Sequence, residues 1–338
     1  MTLLFWILLF ILSLTVLIKS ADYFTESSEK IGIELKIPSF IVGIAIVSIG
    51  TSLPELATSL IAVSKGETEI VVANAIGSNI ANILLIIGIS SIIAKKISIK
   101  RSLINLDLPL LAIATTIAIF ILIDQKVTFL EGALLILTYS VYTFYIISSK
   151  QERKILNHAN IEKNKKNNQE QKKKKNVGNI LKKIWNYKPK VEIGLILTLI
   201  ISAFFIYLGA NYTIEALINI AYELNIGTAI ITMSAVAIGT SLPELVVSVG
   251  AVRKKKYEIA LGNVFGSNIF NILAVIGLPA LLTDLKIDNI TFFIGIPFLI
   301  ASTILYVFSG ISRKIYNWEG IMFLLLYVLF LTKIFGVV

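Results

Sequence analysis

The heptapeptide Gly50-Thr51-Ser52-Leu53-Pro54-Glu55-Leu56 lies within a long apolar stretch, and the same seven residues return at positions 239–245. Each copy contains a carboxylate, two hydroxyls and a proline. An ionised side chain at bilayer depth costs several kcal/mol unless it is paired or lines a polar cavity. Two such carboxylates in matching surroundings therefore predict one cation site, assembled from two halves of a duplicated chain.

The composition around these copies is that of a membrane protein. Of the 338 residues, 56% are hydrophobic and only 15% are charged, which is too apolar for an ordinary soluble domain. Membrane strands would be about 10 residues long and would alternate polar with apolar residues, whereas the apolar runs here are longer and continuous. Each run is long enough for a helix to cross roughly 30 Å of hydrocarbon. We predict an all-α polytopic membrane protein with ten transmembrane helices, at about 3–19, 39–63, 70–94, 103–123, 128–148, 191–209, 227–252, 258–282, 290–309 and 318–337.

The positive charge is concentrated in one hydrophilic connector. Residues 150–190 hold 14 of the 31 lysines and arginines and three acidic residues, whereas the rest of the chain is nearly balanced. No aromatic or glycine pattern accompanies the lysines, so nucleic acid is not a predicted partner. The positive-inside rule predicts a cytoplasmic loop that contacts anionic lipid headgroups.

This placement of the connector sets the orientation of the whole chain. Five predicted spans precede the connector and five follow it, so the N-terminus and the C-terminus are both predicted to lie outside. The other loops on the cytoplasmic side then carry basic clusters, such as those at 95–101 and 253–256. We therefore predict a multi-pass protein of the cell (cytoplasmic) membrane.

The repeat extends well beyond the heptapeptide. Residues 20–88 align with residues 209–277 without a gap, and 33 of the 69 aligned positions are identical. Because each half contains an odd number of helices, the second half enters the membrane from the opposite face, as in many secondary transporters. We predict a first five-helix repeat at 1–149, a basic cytoplasmic loop at 150–190 and an inverted second five-helix repeat at 191–338.

The proline of each heptapeptide disturbs its helix at one point. Pro54 has no N–H, so the carbonyl of Gly50 loses its helical partner, which is costly in lipid unless a cation takes that carbonyl as a ligand. A proline kink with hydroxyls bonded back to the backbone would explain these residues, but it would not explain a glutamate near the middle of a span. The candidate side-chain ligands are Thr51, Ser52 and Glu55 in the first copy and Thr240, Ser241 and Glu244 in the second.

A second repeated motif follows each glutamate. The segment GSNIAN at 77–82 is matched by GSNIFN at 266–271, and its last asparagine lies 27 residues after the glutamate in both halves. The serine and that asparagine are four residues apart and share a helix face. Small residues and amides also join helices in membranes, so each residue alone has a structural alternative, but the equal spacing favours a shared site. The candidates are Ser78, Asn82, Ser267 and Asn271, whereas Asn74, Asn79, Asn263 and Asn268 are equally compatible with a structural role.

All of these candidate ligands offer oxygen. The chain has no cysteine, and its one histidine lies in the connector, so copper and zinc are not favoured. Calcium fits best, because it accepts many flexible oxygen ligands and its charge balances two ionised glutamates. Several monovalent ions, or protons, could replace it, which is the simplest basis for antiport.

The two motif pairs resemble the α-repeats of the cation/calcium antiporter superfamily, and within it the prokaryotic sodium/calcium exchangers. The resemblance is strong over 20–88 and 209–277 and looser over the ten-helix layout. It implies a site formed by the second, third, seventh and eighth helices, and sliding of the first and sixth helices to alternate access. It also implies that Glu55 and Glu244 are the central calcium ligands, surrounded by Thr51, Ser52, Ser78, Asn82, Thr240, Ser241, Ser267 and Asn271.

The chain departs from the family pattern at one position. Many prokaryotic and potassium-dependent relatives have Asp where this chain has Asn271, so a third carboxylate is missing. The resemblance therefore leaves the ion stoichiometry and the potassium dependence open. Proton-coupled members typically have Asn in place of the Thr-Ser pair, so the hydroxyls of this chain favour sodium as the counter-ion.

The sequence therefore predicts a secondary-active antiporter that exchanges Ca²⁺ for Na⁺ by alternating access at a midplane site. A Ca²⁺/H⁺ antiporter is the alternative. A calcium-permeable channel is a more distant one, because channels often use rings of charge from several subunits. No P-loop pattern is present, so neither an ATP-driven pump nor another enzyme is predicted. The expected partners are inorganic cations and membrane lipid, and no cofactor is expected.

Overall fold

The computed structural model of the chain describes residues 3–35, 37–98, 108–146, 191–223, 241–312 and 314–336. Nearly all of these residues are helical. The basic loop predicted at 150–190 lies outside the described residues, as does Thr240 of the second heptapeptide.

The helices agree with the predicted all-α class. The described first half contains α1 (Leu3–Glu34), α2 (Ser39–Ser64), α3 (Glu69–Ala94), α4 (Leu108–Leu122) and α5 (Phe129–Ile146). The described second half contains α6 (Ile193–Glu223), α7 (Leu242–Arg253), α8 (Tyr257–Ala280), α9 (Thr291–Ile311) and α10 (Asn317–Ile334). Within the described ranges, eight of these helices are long and apolar enough to cross a membrane, and α4 and α7 are shorter.

In the described ranges, four helices contain a π-helical turn, in which the backbone hydrogen bonds span one extra residue. These turns are Gly43–Val47 in α2, Ala81–Ile86 in α3, Asn271–Val275 in α8 and Thr291–Gly295 in α9. The turns of α3 and α8 occupy equivalent positions in the two copies of the repeat.

Two helices, α1 and α6, are longer than the predicted spans. The spans at 3–19 and 191–209 continue as helix to Glu34 and Glu223. In α1 the added segment carries small polar residues, including the fully buried Ser28. Hydropathy alone ended the span too early, because it does not recognise polar side chains that pack against other helices.

Two short antiparallel strand pairs join loops of the two halves. β1 (Lys96–Ser98) pairs with β4 (Lys314–Tyr316), and β2 (Lys126–Val127) pairs with β3 (Leu285–Lys286). The sequence analysis did not predict these strands, because two or three residues are too few to show an alternating pattern. They tie the loops between helices of one half to those of the other.

The helices form a buried centre and an exposed periphery. Helix α8 is buried along nearly its whole length and packs against α2, α3 and α7. Helices α1 and α6 pack along each other at the periphery and expose many apolar side chains. Their interface is close and partly polar, since Gly209 lies against the backbone of Leu17 and the Thr213 hydroxyl donates to Ser13 Oγ at 3.0 Å.

Ion pairs attach α1 to the loop between α7 and α8. Lys254 Nζ lies 2.7 Å from Asp22 Oδ1, and Lys256 pairs with Glu29. Both pairs are partly exposed, so each contributes less than about 1 kcal/mol to stability. These ion pairs therefore contribute more to the position of α1 against the bundle than to the stability of the fold.

The two halves approach closely where two glycines meet at the crossing of α2 and α8. A Cβ atom on Gly43 of α2 would lie 2.7 Å from the carbonyl oxygen of Ile259, and a Cβ atom on Gly262 of α8 would lie 3.0 Å from Gly43 Cα. The backbones of α2 and α8 are therefore in direct contact, which only residues without a side chain permit. This crossing brings the two repeated motif regions together.

We expect the substitution Gly262→Ala to separate α2 from α8 and to destabilise the folded protein. Overpacking of this kind typically costs about 1–3 kcal/mol. The thermal unfolding midpoint of the purified protein in detergent measures the effect. Gly194→Ala is the matched control, because a Cβ atom on the exposed Gly194 meets nothing within 4 Å. An unchanged midpoint for Gly262→Ala would contradict the close crossing.

Candidate functional site

The glutamates of the two heptapeptides are the most deeply buried acidic residues in the described part of the chain. Glu55 and Glu244 both have 0% of their surface exposed. Glu55 lies in the middle of α2, which continues as helix through Pro54. Glu244 lies in the first turn of α7, next to Pro243, where the missing proline N–H costs no helical hydrogen bond. The same motif therefore sits in a helix interior in one half and at the start of a helix in the other.

A hydrogen bond between the halves brings the two glutamates together. The Ser52 hydroxyl of α2 donates to Glu244 Oε1 of α7 at 2.8 Å. Ser52 precedes Glu55 by three residues on the same helix, so the two side chains are neighbours on one face. The hydroxyls of Thr51 and Ser267 also lie close to the Glu244 carboxylate. The predicted juxtaposition of the two repeated motifs is thus present in the structure.

Three of the four carboxylate oxygens of Glu55 and Glu244 have no hydrogen-bond donor among the described residues. Both oxygens of Glu55 and Oε2 of Glu244 are buried and unpaired among the residues that the structure describes. No described lysine or arginine forms an ion pair with either glutamate. Because an unpaired buried charge is strongly unfavourable, this pair needs a positive partner that the described side chains do not supply.

The last asparagine of each GSN motif lies in a π-helical turn. Asn82 is in the turn Ala81–Ile86, and Asn271 begins the turn Asn271–Val275. Both residues are fully buried, and neither the oxygen nor the nitrogen of either amide has a partner among the described residues. Since π-helical turns often occur at functional sites, their equivalent placement in both halves supports a shared role for the two amides.

The hydroxyls of the motifs are also buried, but their contacts differ. The Thr51 hydroxyl lies 3.1 Å from Asn263 Oδ1. Ser267 Oγ lies 3.5 Å from the Ser48 carbonyl, and Ser241 Oγ has no partner in the described ranges. Ser78 is buried on α3.

The backbone carbonyls of the two glutamates are contacted by asparagine side chains. The Glu55 carbonyl accepts from Asn74 Nδ2 at 3.3 Å, and the Glu244 carbonyl lies 3.5 Å from Asn263 Nδ2. These two asparagines occupy equivalent positions in the repeat, and each contacts the backbone carbonyl of the glutamate in its own half. The Gly50 carbonyl stays a predicted ligand.

Two serines that were not among the predicted site residues complete these contacts. Asn74 Nδ2 also lies 3.4 Å from Ser59 Oγ, and Asn263 Nδ2 donates to Ser248 Oγ at 2.9 Å. Ser59 and Ser248 are identical at the repeat offset and follow their glutamates by four residues. That coincidence was the signal that could have identified them.

The middle asparagines of the GSN motifs connect the two halves. Asn79 Nδ2 of α3 donates to the Asn268 carbonyl of α8 at 3.0 Å, and Asn268 Nδ2 donates to the Val264 carbonyl at 2.8 Å. The bond of Asn79 is a helix-joining contact of the kind that amides make in membranes, whereas that of Asn268 lies within α8. Both favour the structural alternative for this pair.

The assembled centre combines two carboxylates with neutral oxygen donors. Among the described residues no group of three or more His, Cys, Asp or Glu side chains is arranged to hold a metal ion. The side chains that contact one another here come from α2, α7 and α8, and the candidates of α3, Ser78 and Asn82, are buried. Such a set suits hard cations, whose hydration shells it can replace.

Comparison with known proteins gives a consistent result. A family model described as "Sodium/calcium exchanger protein" matches residues 5–148 and 194–336. Sodium/calcium exchanger MaX1 of Methanosarcina acetivorans is 33% identical over 97% of this chain and 98% of its own length. Putative antiporter CaxA of Alkalimonas amylolytica is 30% identical over 94% of this chain and 95% of its own.

Solved structures agree with these relatives. The sodium-calcium exchanger NCX_Mj, soaked with zero Na⁺ and Ca²⁺, superimposes with a TM-score of 0.76 at 27% sequence identity. The match covers 97% of this chain and 98% of that one. The similarity therefore spans both copies of the repeat rather than one motif.

We expect Ser52→Ala to destabilise the protein, because the substitution removes the donor to a buried carboxylate. The loss of a hydrogen bond of this type costs about 1–3 kcal/mol and should lower the thermal unfolding midpoint in detergent. The matched control is Ser140→Ala, since Ser140 is exposed and its hydroxyl donates within its own helix to the Ile136 carbonyl at 2.9 Å. Equal shifts for the two variants would argue against the inter-half bond.

Proposed function

Because the chain belongs to the sodium/calcium exchanger protein family, a family of membrane antiporters, we propose that it exchanges Ca²⁺ for Na⁺ across the cell membrane. The observation that carries this proposal is the pair of fully buried glutamates, one from each half, with three unpaired oxygens in the described part of the chain. A bound cation satisfies this arrangement, and protons are the alternative partner that the Ca²⁺/H⁺ hypothesis invokes.

The proposed ion site consists of oxygens from both repeats. One Ca²⁺ balances the charge of two ionised glutamates, whereas Na⁺ does so only when more than one ion binds. Competition between one divalent and several monovalent ions for the same oxygens couples the two fluxes. The burial of the described members and the bond between Ser52 and Glu244 support this assignment. The proposed ligands are Glu55, Glu244, Thr51, Ser52, Ser78, Asn82, Thr240, Ser241, Ser267 and Asn271.

We propose that the chain has ten transmembrane helices in two inverted repeats, at 1–149 and 191–338. The two strand pairs support this topology. The repeat offset of 189 maps Ile97 of the first half onto Lys286, and it maps Ile315 of the second half back onto Lys126. The strand pair Ile97 and Ile315 therefore corresponds to the strand pair Lys286 and Lys126. The two strand pairs are therefore exchanged by the repeat, as an internal two-fold axis requires.

The connector between the repeats is proposed to be a cytoplasmic loop. The family model matches the chain on both sides of this loop and leaves 149–193 unmatched. Its lysines place it on the cytoplasmic face, next to anionic lipid. Both chain termini then lie outside.

Alternating access is proposed to involve α1 and α6. These helices lie at the periphery, contact each other along their length and expose much of their surface. A pair of this kind can slide across the buried centre without disrupting it, so that the ion site opens to one face of the membrane at a time.

In proteoliposomes, we expect an outward-directed Na⁺ gradient at fixed pH to drive uptake of radioactive calcium. Na⁺, K⁺ and pH gradients should be imposed one at a time. Uptake driven by a pH gradient alone would identify a Ca²⁺/H⁺ antiporter instead. Calcium flux that needs no counter-ion gradient and exceeds carrier turnover would identify a channel.

The variants Glu55→Gln and Glu244→Gln should each reduce Na⁺-driven Ca²⁺ uptake by about 100-fold or more. Each removes half of the charge that balances a divalent ion in a medium of low dielectric constant, where an unbalanced charge costs about 3–5 kcal/mol. The matched controls are Glu26→Gln and Glu215→Gln, because these two glutamates also recur at the repeat offset but are exposed on α1 and α6. Wild-type uptake by either site variant, with normal elution in size-exclusion chromatography, would refute the role of that glutamate.

A further inference from the structure

One buried amide touches both heptapeptides. Asn263 of α8 has 0% of its surface exposed and precedes the GSN motif by one turn. On one side its Nδ2 donates to Ser248 Oγ at 2.9 Å and lies 3.5 Å from the Glu244 carbonyl, both on α7. On the other side its Oδ1 lies 3.1 Å from Thr51 Oγ1 of α2. Asn263 therefore connects the glutamate of one half with a hydroxyl of the other.

The orientation of this amide follows from its partners. A backbone carbonyl can only accept a hydrogen bond, so the end of the amide beside the Glu244 carbonyl must be the NH₂ group. The oxygen then faces Thr51, whose hydroxyl is the donor. Asn263 Oδ1 is thus a fixed acceptor at a known place beside the proposed site.

This acceptor determines where the Thr51 hydroxyl directs its proton. A hydroxyl has one proton and two acceptor lone pairs. The described acceptors near Thr51 are Asn263 Oδ1 at 3.1 Å, the Ser48 carbonyl at 3.3 Å and the Glu244 carboxylate. If the proton points to Asn263, the lone pairs remain available to a cation. If it points to Glu244, the lone pairs of the hydroxyl are turned away from that carboxylate, and the hydroxyl takes up part of the acceptor capacity of the carboxylate oxygen.

We propose that Asn263 is a positioning residue: it holds the Thr51 hydroxyl with its lone pairs toward the ion and anchors the α7 turn that carries Glu244. This inference rests on the proposed function, since it concerns the same ion site. It assigns to Asn263 a role in ion affinity without direct contact to the ion.

The first half contains the counterpart of this contact. Asn74 Nδ2 lies 3.3 Å from the Glu55 carbonyl and 3.4 Å from Ser59 Oγ. The two asparagines thus hold the two glutamate-bearing helices by the same pair of atoms, a carbonyl and a serine four residues later. The recurrence shows that the contact belongs to the repeated unit rather than to one local packing arrangement.

The test compares ion affinity with turnover in proteoliposomes. Asn263→Ala should raise the half-saturating concentration of Ca²⁺ about three- to tenfold, the equivalent of one hydrogen bond, while the maximal rate per folded molecule changes less. Asn263→Ser serves as a second variant if the alanine variant does not fold, because the serine hydroxyl is too short to reach Thr51. Asn268→Ala is the matched control, since Asn268 is buried on the same helix but bonds only within α8 through its side chain.

A double-mutant cycle separates positioning from general packing. Thr51→Val removes the hydroxyl and keeps the side-chain shape, so Asn263→Ala should add little to the loss of Ca²⁺ affinity in that background. Thr51→Ser, which retains the hydroxyl, should restore most of the affinity and the dependence on Asn263. Two results would overturn this inference while leaving the proposed function intact. One is that the two substitutions have additive effects on Ca²⁺ affinity. The other is that Asn263→Ala leaves the half-saturating Ca²⁺ concentration unchanged although the wild-type protein is active. Absence of Ca²⁺ exchange by the wild type under every gradient would overturn the proposed function and this inference with it.

Discussion

The burial of two carboxylates at adjacent positions is the constraint on which the rest of the structure depends. Glu55 and Glu244 have no exposed surface and no ion-pair partner among the described residues. Two like charges so placed repel each other and lose their hydration, so the pair is unfavourable until a cation or protons neutralise it. The proposed ion site rests on this electrostatic requirement.

The surrounding helices keep this centre dry and hold its oxygens in place. Gly43 and Gly262 allow α2 and α8 to cross with their backbones in contact, which brings the two motif regions within hydrogen-bond distance. The amides of Asn74 and Asn263 then hold the glutamate-bearing helices from the same side in each half. This close packing of the centre contrasts with the exposed, peripheral position of α1 and α6, which is why the proposed movement was assigned to that pair.

Much of the fold was predictable, because the relevant signals are periodic or repeated. The helical class follows from the length of the apolar runs, and the family was recognisable from two motifs, a prediction that the family match confirms. The ten-helix inverted topology and the ligand set remain predictions. The ends of α1 and α6 were wrong because polar side chains that pack against other helices, such as Ser28 and Thr213, look hydrophilic in a hydropathy profile, and the strand pairs were missed because they are so short.

The sequence by itself determined the membrane class, the duplication and the oxygen chemistry of the candidate site, since each depends on residue type and spacing alone. Only the tertiary structure decided which oxygens meet. The bond from Ser52 to Glu244 joins residues 192 positions apart, and the contact of Thr51 with Asn263 joins residues 212 positions apart. No periodicity encodes such distances, because they result from how two halves pack rather than from the conformation of either half.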